Sequence, residues 1–253
     1  MNQTENNPVK ARYRELAQRS FDNNQYTFTA FMNMEELSDF YIIRTELEYA
    51  HPTVFGGYEN SERCMIRFGS KETFGYEETF PIAVLEISPV AEKFADDLNH
   101  RDFLGSLMNL GIERNTLGDI LVKEKHAYVF CASSMADYII KNLTRIKHTT
   151  VTVREVDAPE ELITPKFEEK LIQVSSSRID AVIAKTFNFS RTVAVPMFQR
   201  GMIYLNGREC TENAKNLKNG DVISVRGHGK FIFEDTTGLS KKGKENIKIK
   251  IYK

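Results

Sequence analysis

The sequence contains no tryptophan, three cysteines and no long uninterrupted run of apolar residues. A helix that crosses a bilayer needs roughly 18 to 20 apolar residues in a row, so no membrane span is expected. The opening MNQTENNPVKARYRE also lacks the apolar stretch of a secretory signal. Cys64, Cys131 and Cys210 lie far apart and form no CxxC pair. This spacing argues against a zinc knuckle or a disulfide framework, and we expect free thiols in a cytoplasmic protein.

Motifs that carry catalysis or hold cofactors are also missing. The chain has no glycine-rich cofactor loop, no HExxH and no Cys–His pairing. His100 with Asp102, or His126, could serve an enzyme, but a histidine beside an aspartate at a helix start is more often surface decoration or capping. We therefore expect no catalytic residue, no metal and no cofactor, while an RNA-modifying enzyme stays the alternative.

Charge is unevenly distributed along the chain of 253 residues, although its net charge is only -1. From residue 175 to the end there are 15 lysines and arginines against 7 acidic residues, a net of +8. The first 174 residues hold 19 basic and 28 acidic residues, a net of -9. A basic end on a near-neutral chain indicates a local surface for a polyanion such as RNA.

The first 71 residues are predicted to form a small mixed α/β domain. Apolar residues recur at helical spacing at Tyr13, Leu16, Ala17 and Phe21, and again around residues 37–41. Two short apolar runs at 54–55 and 64–68 flank the turn-rich GGYENSE, which is typical of a hairpin. The sequence of this domain does not disclose a function.

Residues 72–157 are predicted to form a second domain of order β-α-β-β-α-β. The strands are PIAVLEI, GDILV, HAYVFCA and VTVREV, and Ser88-Pro89 after the first suggests the entry to a helical region. One helix is HRDFLGSLMNLG, and the other covers 137–145 and begins with the capping pattern of Ser134 and Asp137. This order is that of a ferredoxin-like fold, which RNA-recognition motifs share.

The third strand of this domain lacks the glycine-and-aromatic signature of an RNA-recognition motif. Tyr128 and Phe130 do lie on one face of it. We interpret them as core or sheet cover rather than as stacking platforms, and whether this domain binds RNA stays open.

Residues 158–174, with two prolines and the charged run PKFEEK, are predicted to be a linker, and residues 175–253 a basic C-terminal domain. Two short helices, with Ser177 and Ser190 as caps, precede a small sheet. Exposed helix starts attract phosphate through their free N–H groups, and arginine grips phosphate with two bonds. The candidate RNA-binding residues are Arg178, Ser190, Arg191, Arg200, Asn206, Arg208, Arg226, His228 and Lys230.

The segments SSSRIDAVIAKTF, NFSR, the helix-ending RG, the LNG turn and GDVISVRG follow one another in this domain. Their order and gaps resemble the S-four domain (αL motif), whose members bind structured ribosomal RNA or tRNA through the two helices and the following turn. One departure is Pro196 inside the second helix, which removes a backbone N–H and affects the placement of Arg200.

The whole chain resembles the YlmH family, through the N-terminal VFGGY, the central HRDFLGSLMNLGIERNTLGDILV and the C-terminal S-four segments. The fold class is therefore α+β: an N-terminal mixed domain, a central ferredoxin-like (RRM-like) domain and a C-terminal S-four domain. The resemblance implies a non-enzymatic bacterial protein, encoded near cell-division genes, that binds ribosomal RNA or tRNA on the large ribosomal subunit and rescues stalled nascent chains. A division-linked scaffold with an unidentified protein partner is a further alternative. Pseudouridine synthases and tyrosyl-tRNA synthetases also carry S-four domains, but their catalytic motifs are missing here.

Overall fold

A computed structural model describes residues 7–240 and 243–253, which form two compact units. The first unit contains the chain up to Glu36 together with Ile43–Thr164. The second contains Leu37–Ile42 together with Pro165–Lys253. Residues 1–6 and the lysines at 241 and 242 lie outside the described residues.

The N-terminal part of the first unit is a mixed α/β arrangement, as predicted. Its elements are α1 (Pro8–Asn23), β1 (Thr27–Phe28), a 3-10 segment (Arg44–Ala50), β2 (Thr53–Phe55), β3 (Met65–Phe68) and α3 (Lys71–Phe74). A further helix, α2 (Met34–Ile43), belongs to the first unit only at its ends, because Leu37–Ile42 are part of the second unit. The strands form one antiparallel sheet in the order β1-β3-β2, and the predicted hairpin is the pair β2–β3. Tyr13, Leu16 and Ala17 are buried, whereas Phe21 is half exposed because it lies beyond the buried stripe and packs edge-on against Tyr49.

The rest of the first unit is a five-stranded sheet with three α-helices, of which the last is only one turn long. Its elements are β4 (Ile82–Pro89), a 3-10 segment (Glu92–Phe94), α4 (His100–Asn109), a 3-10 segment (Arg114–Thr116), β5 (Leu117–Lys123), β6 (His126–Ala132), α5 (Ser133–Asn142), β7 (Arg145–Ile146), β8 (Thr149–Glu155) and α6 (Glu160–Ile163). The strand order is β5-β6-β4-β8-β7, and every pairing is antiparallel. Alternate residues of the strands form one core with Phe103 and Leu107 of α4 and Ile139 of α5.

Two local predictions in this part are wrong. Ser88 and Pro89 do not open a helix but end β4, and α4 begins eleven residues after Pro89 behind a capping box formed by Asn99 and Asp102. Pro89 is tolerated because it stands at the end of the strand. Helix α5 begins at Ser133 instead of Asp137 and has no side-chain cap, so the Ser134 pattern is not used.

The VFGGY segment joins the N-terminal part to the five-stranded sheet, and the predicted boundary at residue 71 therefore falls inside the first unit. Gly57 has a φ of 105°, and a Cβ added there would lie 2.3 Å from the Phe130 ring. The hydroxyl of Tyr58 donates to Asp119 Oδ2 at 2.8 Å, and the N–H groups of Glu62 and Arg63 donate to the same carboxylate. Glycine is needed here because the backbone rests directly on an aromatic side chain.

The second unit is a six-stranded sheet packed against two helices. Its elements after residue 164 are β9 (Phe167–Val174), α7 (Ile179–Thr186), α8 (Arg191–Gln199), β10 (Ile203–Leu205), β11 (Arg208–Glu209), β12 (Val222–Val225), β13 (Gly229–Leu239) and β14 (Glu245–Tyr252). The strand order is β11-β10-β12-β13-β14-β9. Ser38 of α2 belongs to this unit and accepts a hydrogen bond from Glu209 N at 2.8 Å.

Part of the predicted linker is a strand, which corrects the boundary drawn at residue 175. β9 pairs with β14 along its whole length, from Phe167 opposite Tyr252 to Val174 opposite Glu245. Ile172 and Val174 alternate into the core, whereas the intervening residues are exposed. Because the charged residues of PKFEEK occupy the first half of the strand, they hide this alternation in the sequence.

Three features of the second unit agree with the sequence. Asn206 (φ 51°) and Gly207 (φ 79°) form the predicted tight turn between β10 and β11. Gly201, with a φ of 62°, follows the end of α8. Pro196 lies inside α8 and the helix continues through it to Gln199.

Cys64, Cys131 and Cys210 are all buried, and none of the three forms a disulfide. Burial raises the pKa of Cys131 to about 12 and also raises the pKa of Cys210. Across the residues that the structure describes, no helix is long and apolar enough to cross a membrane, and no group of three His, Cys, Asp or Glu side chains could hold a metal ion.

Candidate nucleic-acid interface

The first turn of α7 is already hydrogen-bonded within the protein. Ile179 N donates to Lys215 O at 2.8 Å, and Asp180 N donates to Asn213 O at 3.3 Å. Ala181 N donates to the carboxylate of Asp180 at 2.8 Å. The expectation that α7 offers free N–H groups to phosphate is therefore wrong, because the loop before β12 folds back and supplies the acceptors. Ser177 is not the cap either: Arg178 occupies the cap position, and the Ser177 hydroxyl contacts Glu245.

The guanidinium of Arg178 forms a bidentate pair with Asp180. Its Nε and Nη2 donate to the two carboxylate oxygens at 3.1 and 2.9 Å. The Asp180 carboxylate is buried, so Arg178 compensates a charge that water does not reach. The primary role visible for Arg178 is therefore structural.

The first turn of α8 differs from that of α7. Ser190 is the cap residue, but its hydroxyl contacts Thr192 Oγ1 at 2.6 Å and caps no backbone N–H. Within the ranges 7–240 and 243–253, the N–H groups of Arg191 and Thr192 have no hydrogen-bond acceptor. Arg191 is exposed, and its nearest polar contact is the Ser175 hydroxyl at 3.3 Å. Of the two predicted helix starts, only α8 is open to an anion.

An aromatic cluster joins the α7–α8 connection to the turn between β12 and β13. Phe187 and Phe189 stack with their ring centroids 5.7 Å apart, and the His228 ring meets Phe189 edge-on at 4.8 Å. Phe187 also packs against Phe231, which is fully buried. This cluster brings His228 close to Ser190 and Arg191, although the two segments are nearly forty residues apart.

The same β12–β13 turn also reaches the other end of α8. Arg226 N donates to Met202 O at 2.9 Å, and Met202 follows Arg200, the cap residue at the end of α8. Arg200, Arg226 and His228 are all exposed. Helix α8 and this turn therefore form one surface, which we call the α8 surface: Arg191, Arg200, Arg226 and His228.

Asn206 and Arg208 lie away from the α8 surface. They flank the β10–β11 turn, which is at the opposite end of β12 from Arg226, roughly 13 Å along the strand. The Asn206 amide donates to Asp221 at 2.8 Å and accepts from Val222 N at 2.8 Å, so it fixes this turn onto β12. Arg208 is exposed.

Lys230 lies at the start of β13, and its ammonium is 4.8 Å from the centroid of the Tyr252 ring. This cation–π contact holds the side chain against the neighbouring strand β14. The predicted RNA-binding residues therefore do not form one site. One group lies around α8, Arg178 forms a structural pair at α7, and Asn206 and Arg208 lie at the separate β10–β11 turn.

Sequence reasoning missed Lys185, Asn188, Phe187 and Phe189, which border the α8 surface. Phe189 and Asn188 belong to the quoted NFSR segment, but two phenylalanines beside helices are indistinguishable from core residues in the sequence. Asn188 did carry a signal for the connection between α7 and α8, because asparagine tolerates the left-handed conformation (φ 57°) that it adopts there.

The central sheet presents no aromatic platform. Phe130 is fully buried under Tyr58, Phe31 and Met65. The Tyr128 hydroxyl donates to Glu86 at 3.0 Å. Both rings cover the sheet, as interpreted from the sequence.

Glu86 is the centre of a charged cluster on the same face. Its buried carboxylate contacts Arg154, Tyr128 and His126, and His126 also contacts Glu92 at 3.0 Å. Burial alone would raise the pKa of Glu86, but the hydrogen bonds from its three partners lower it. This cluster satisfies a buried charge and leaves His126 between two carboxylates.

Asp102, but not His100, takes part in a helix cap. Asp102 pairs with Lys147 at 2.7 Å and accepts from Asn99 N at 2.9 Å, and these contacts lower its pKa. His100 is the first residue of α4, and desolvation and the charge of Arg114 lower its pKa. The capping interpretation therefore fits Asp102.

Comparison with known proteins supports the resemblance found in the sequence. Residues 76–160 match the family described as "Putative RNA-binding domain in YlmH". The "Ribosome-associated protein quality control protein P2" of Bacillus subtilis is 27% identical over 194 residues, which cover 76% of this chain and 74% of that protein.

Among solved structures, the "Cell division protein ylmH from Streptococcus pneumoniae" covers 61% of this chain and 91% of its own chain, at 24% identity and a TM-score of 0.47. The region that the family model matches holds 9 basic and 14 acidic residues. The segment with the matched RNA-binding description is thus the acidic one.

Proposed function

We propose that this chain, which is a member of the YlmH family, is a non-enzymatic factor that binds structured RNA through the α8 surface of an S-four domain. In this proposal the second unit is the S-four domain, and the central sheet is a ferredoxin-like domain that adds to binding without stacking bases. The RNA is ribosomal RNA or tRNA on the large ribosomal subunit. The cellular role is the rescue of stalled nascent chains in the cytoplasm, in line with the name of the Bacillus relative.

The observation that carries the proposal is that the arginines of the α8 surface are exposed and form no ion pairs among the described residues. Arg191, Arg200 and Arg226 are exposed, and none forms an ion pair in the described part of the chain. Unpaired arginines around a helix start that has two free N–H groups form a site for phosphate oxygens. All three arginines belong to the C-terminal part of the chain, which has a net charge of +8.

Two other roles have weaker support. An enzyme would need a constellation of reactive groups, but Asp102 is engaged in a helix cap and His126 in the Glu86 cluster. A division-linked scaffold would need a partner surface, and no contact described above defines one.

The proposal is tested with Arg191→Ala and Arg200→Ala combined, in the full-length protein. Each lost phosphate contact should lower the salt slope of RNA binding by about 0.7 to 0.9, so the double variant should lose roughly 1.5. Co-sedimentation with large ribosomal subunits should be lost. The measurement is affinity for a structured ribosomal RNA fragment at several salt concentrations.

Arg12→Ala is the matched control, because Arg12 is an exposed arginine of α1 that pairs with Glu15. It should leave the salt slope and the co-sedimentation unchanged. An unchanged slope and unchanged co-sedimentation in the double variant would refute the proposal.

A further inference from the structure

We propose that a cavity beside the α8 surface binds one unpaired nucleotide of the RNA, with its base against Phe189. The inference rests on the proposed function, because RNA must first be bound. The cavity lies between β9 and the connection from α7 to α8, and its lining includes Val174, Ser175, Lys185, Asn188, Phe189 and Arg191.

The size of the cavity fits a single nucleotide. Its volume is about 400 Å³, and sites for small molecules are typically about 300 to 1,000 Å³. The space is open to solvent, so a base that is flipped out of a bulge or loop can reach it, and such bases are the usual targets of sequence-specific RNA recognition.

Phe189 offers the cavity an aromatic side chain that is supported from behind. Phe187 stacks on it with an interplanar angle of 24°, and the His228 ring packs against its edge. Phe187 is in turn anchored on the buried Phe231. A ring that is fixed in this way loses little freedom when a base stacks on it.

The charges at the cavity suit the phosphates of such a nucleotide. Lys185 is exposed, and its ammonium has no ion-pair or hydrogen-bond partner among the described residues, whereas the Arg191 guanidinium donates to the Ser175 hydroxyl. The residues that line the cavity include no carboxylate. The Asn188 amide adds a group that can both donate to and accept from the edge of a base.

The combination distinguishes a nucleotide from other ligands. A free phosphate would use the cations but not the ring, and an apolar peptide would use the ring but not the cations. An unpaired nucleotide uses both, and the neighbouring α8 surface would hold the phosphates on either side of it.

The experiment compares two RNA hairpins with the same stem, one fully paired and one with a single bulged adenosine. Affinity for the full-length protein is measured by fluorescence anisotropy at one salt concentration. The wild type should bind the bulged hairpin about tenfold more tightly, which is the scale of one base–aromatic stack. Phe189→Leu should abolish this preference while it keeps binding to the paired hairpin.

Two variants control for folding and for aromatic character in general. Phe189→Tyr should keep the preference, because it keeps the ring. Phe167→Leu should keep it too, since Phe167 is an exposed aromatic of the same unit that packs on Tyr252.

Lys185→Gln should weaken the preference by several-fold.

The outcomes separate the two proposals. No preference in the wild type, or a preference that survives in Phe189→Leu, overturns the nucleotide pocket and leaves the α8 surface intact. If neither hairpin binds the wild type, the proposed function itself fails. Thermal unfolding of Phe189→Leu shows whether its result can be attributed to binding.

Discussion

Three arginines that look equivalent in the sequence have different environments at the residue scale. Arg178, Arg191 and Arg200 all lie at helix ends, but only Arg178 is bound by a buried carboxylate. The sequence could predict the helix ends, because capping and apolar spacing are local. It could not predict which arginine is engaged, since the Asp180 environment depends on a loop more than thirty residues away.

Arg178→Ala should reduce stability more than it reduces RNA affinity. The variant leaves the buried Asp180 carboxylate without its partner, which should cost about 1 to 3 kcal/mol, since Arg178 is itself partly exposed. Urea unfolding measures the loss. Arg191→Ala should have no such effect, and a large drop in the salt slope for Arg178→Ala would mean that Arg178 does bind phosphate.

Gly57→Ala should destabilise the first unit. The residue has a φ of 105°, and its Cβ would overlap the buried Phe130 ring at 2.3 Å. We expect a loss of about 2 to 4 kcal/mol in urea unfolding.

Gly105→Ala is the matched control, because it lies inside α4 and a Cβ there meets nothing within 4 Å. It should raise stability by about 0.5 to 1 kcal/mol. Equal effects of the two changes would contradict the role given to Gly57.

At the scale of the elements, sequence periodicity identified most strands and both long helices of the central sheet. β4, β5, β6 and β8 were visible because their buried residues alternate or run continuously. β9 was missed because its pairing partner, β14, is about eighty residues later and its exposed face is charged. Long-range pairing decides such a strand, and local composition does not reveal it.

Glu86→Gln should destabilise the central sheet at neutral pH but not at acid pH. The pKa of Glu86 is lowered from its usual value of 4.5, so its carboxylate adds stability above that pH and loses it as the pH falls through the folded-state pKa. We expect a loss of about 1 to 3 kcal/mol at pH 7, because Arg154 and Tyr128 lose a charged acceptor.

The measurement is urea unfolding over a pH series that starts at pH 7, in which the difference from wild type should shrink as the pH falls below 4.5. Glu160→Gln, an exposed residue of α6, should show no difference from wild type at any pH. A difference that stays the same over the whole series would show that shape rather than charge is lost.

At the scale of the whole molecule, charge and family resemblance point to different parts. The matched RNA-binding segment has a net charge of -5, whereas the C-terminal part has a net charge of +8. The sequence revealed this segregation directly, since net charge needs no fold. It could not reveal which cations share a surface, because the aromatic contact between Phe189 and His228 brings them together.

Arg226→Ala should therefore lower the salt slope of RNA binding by about 0.7 to 0.9, whereas Arg145→Ala should not change it. Both residues are exposed arginines next to a tight turn, one in each unit. The comparison uses the same RNA and the same salt series. A larger effect for Arg145 would place the main phosphate contacts in the central sheet.

The buried thiols can report local unfolding of each unit separately. Cys64 and Cys131 belong to the first unit and Cys210 to the second, and none is exposed. A thiol in this state reacts with an alkylating reagent only when its surroundings open, because the thiolate must form and be reached. Mass spectrometry of alkylated peptides would thus follow the opening of the two units separately in one sample, with and without RNA. Protection of Cys210 alone by RNA would locate binding in the second unit without any mutation.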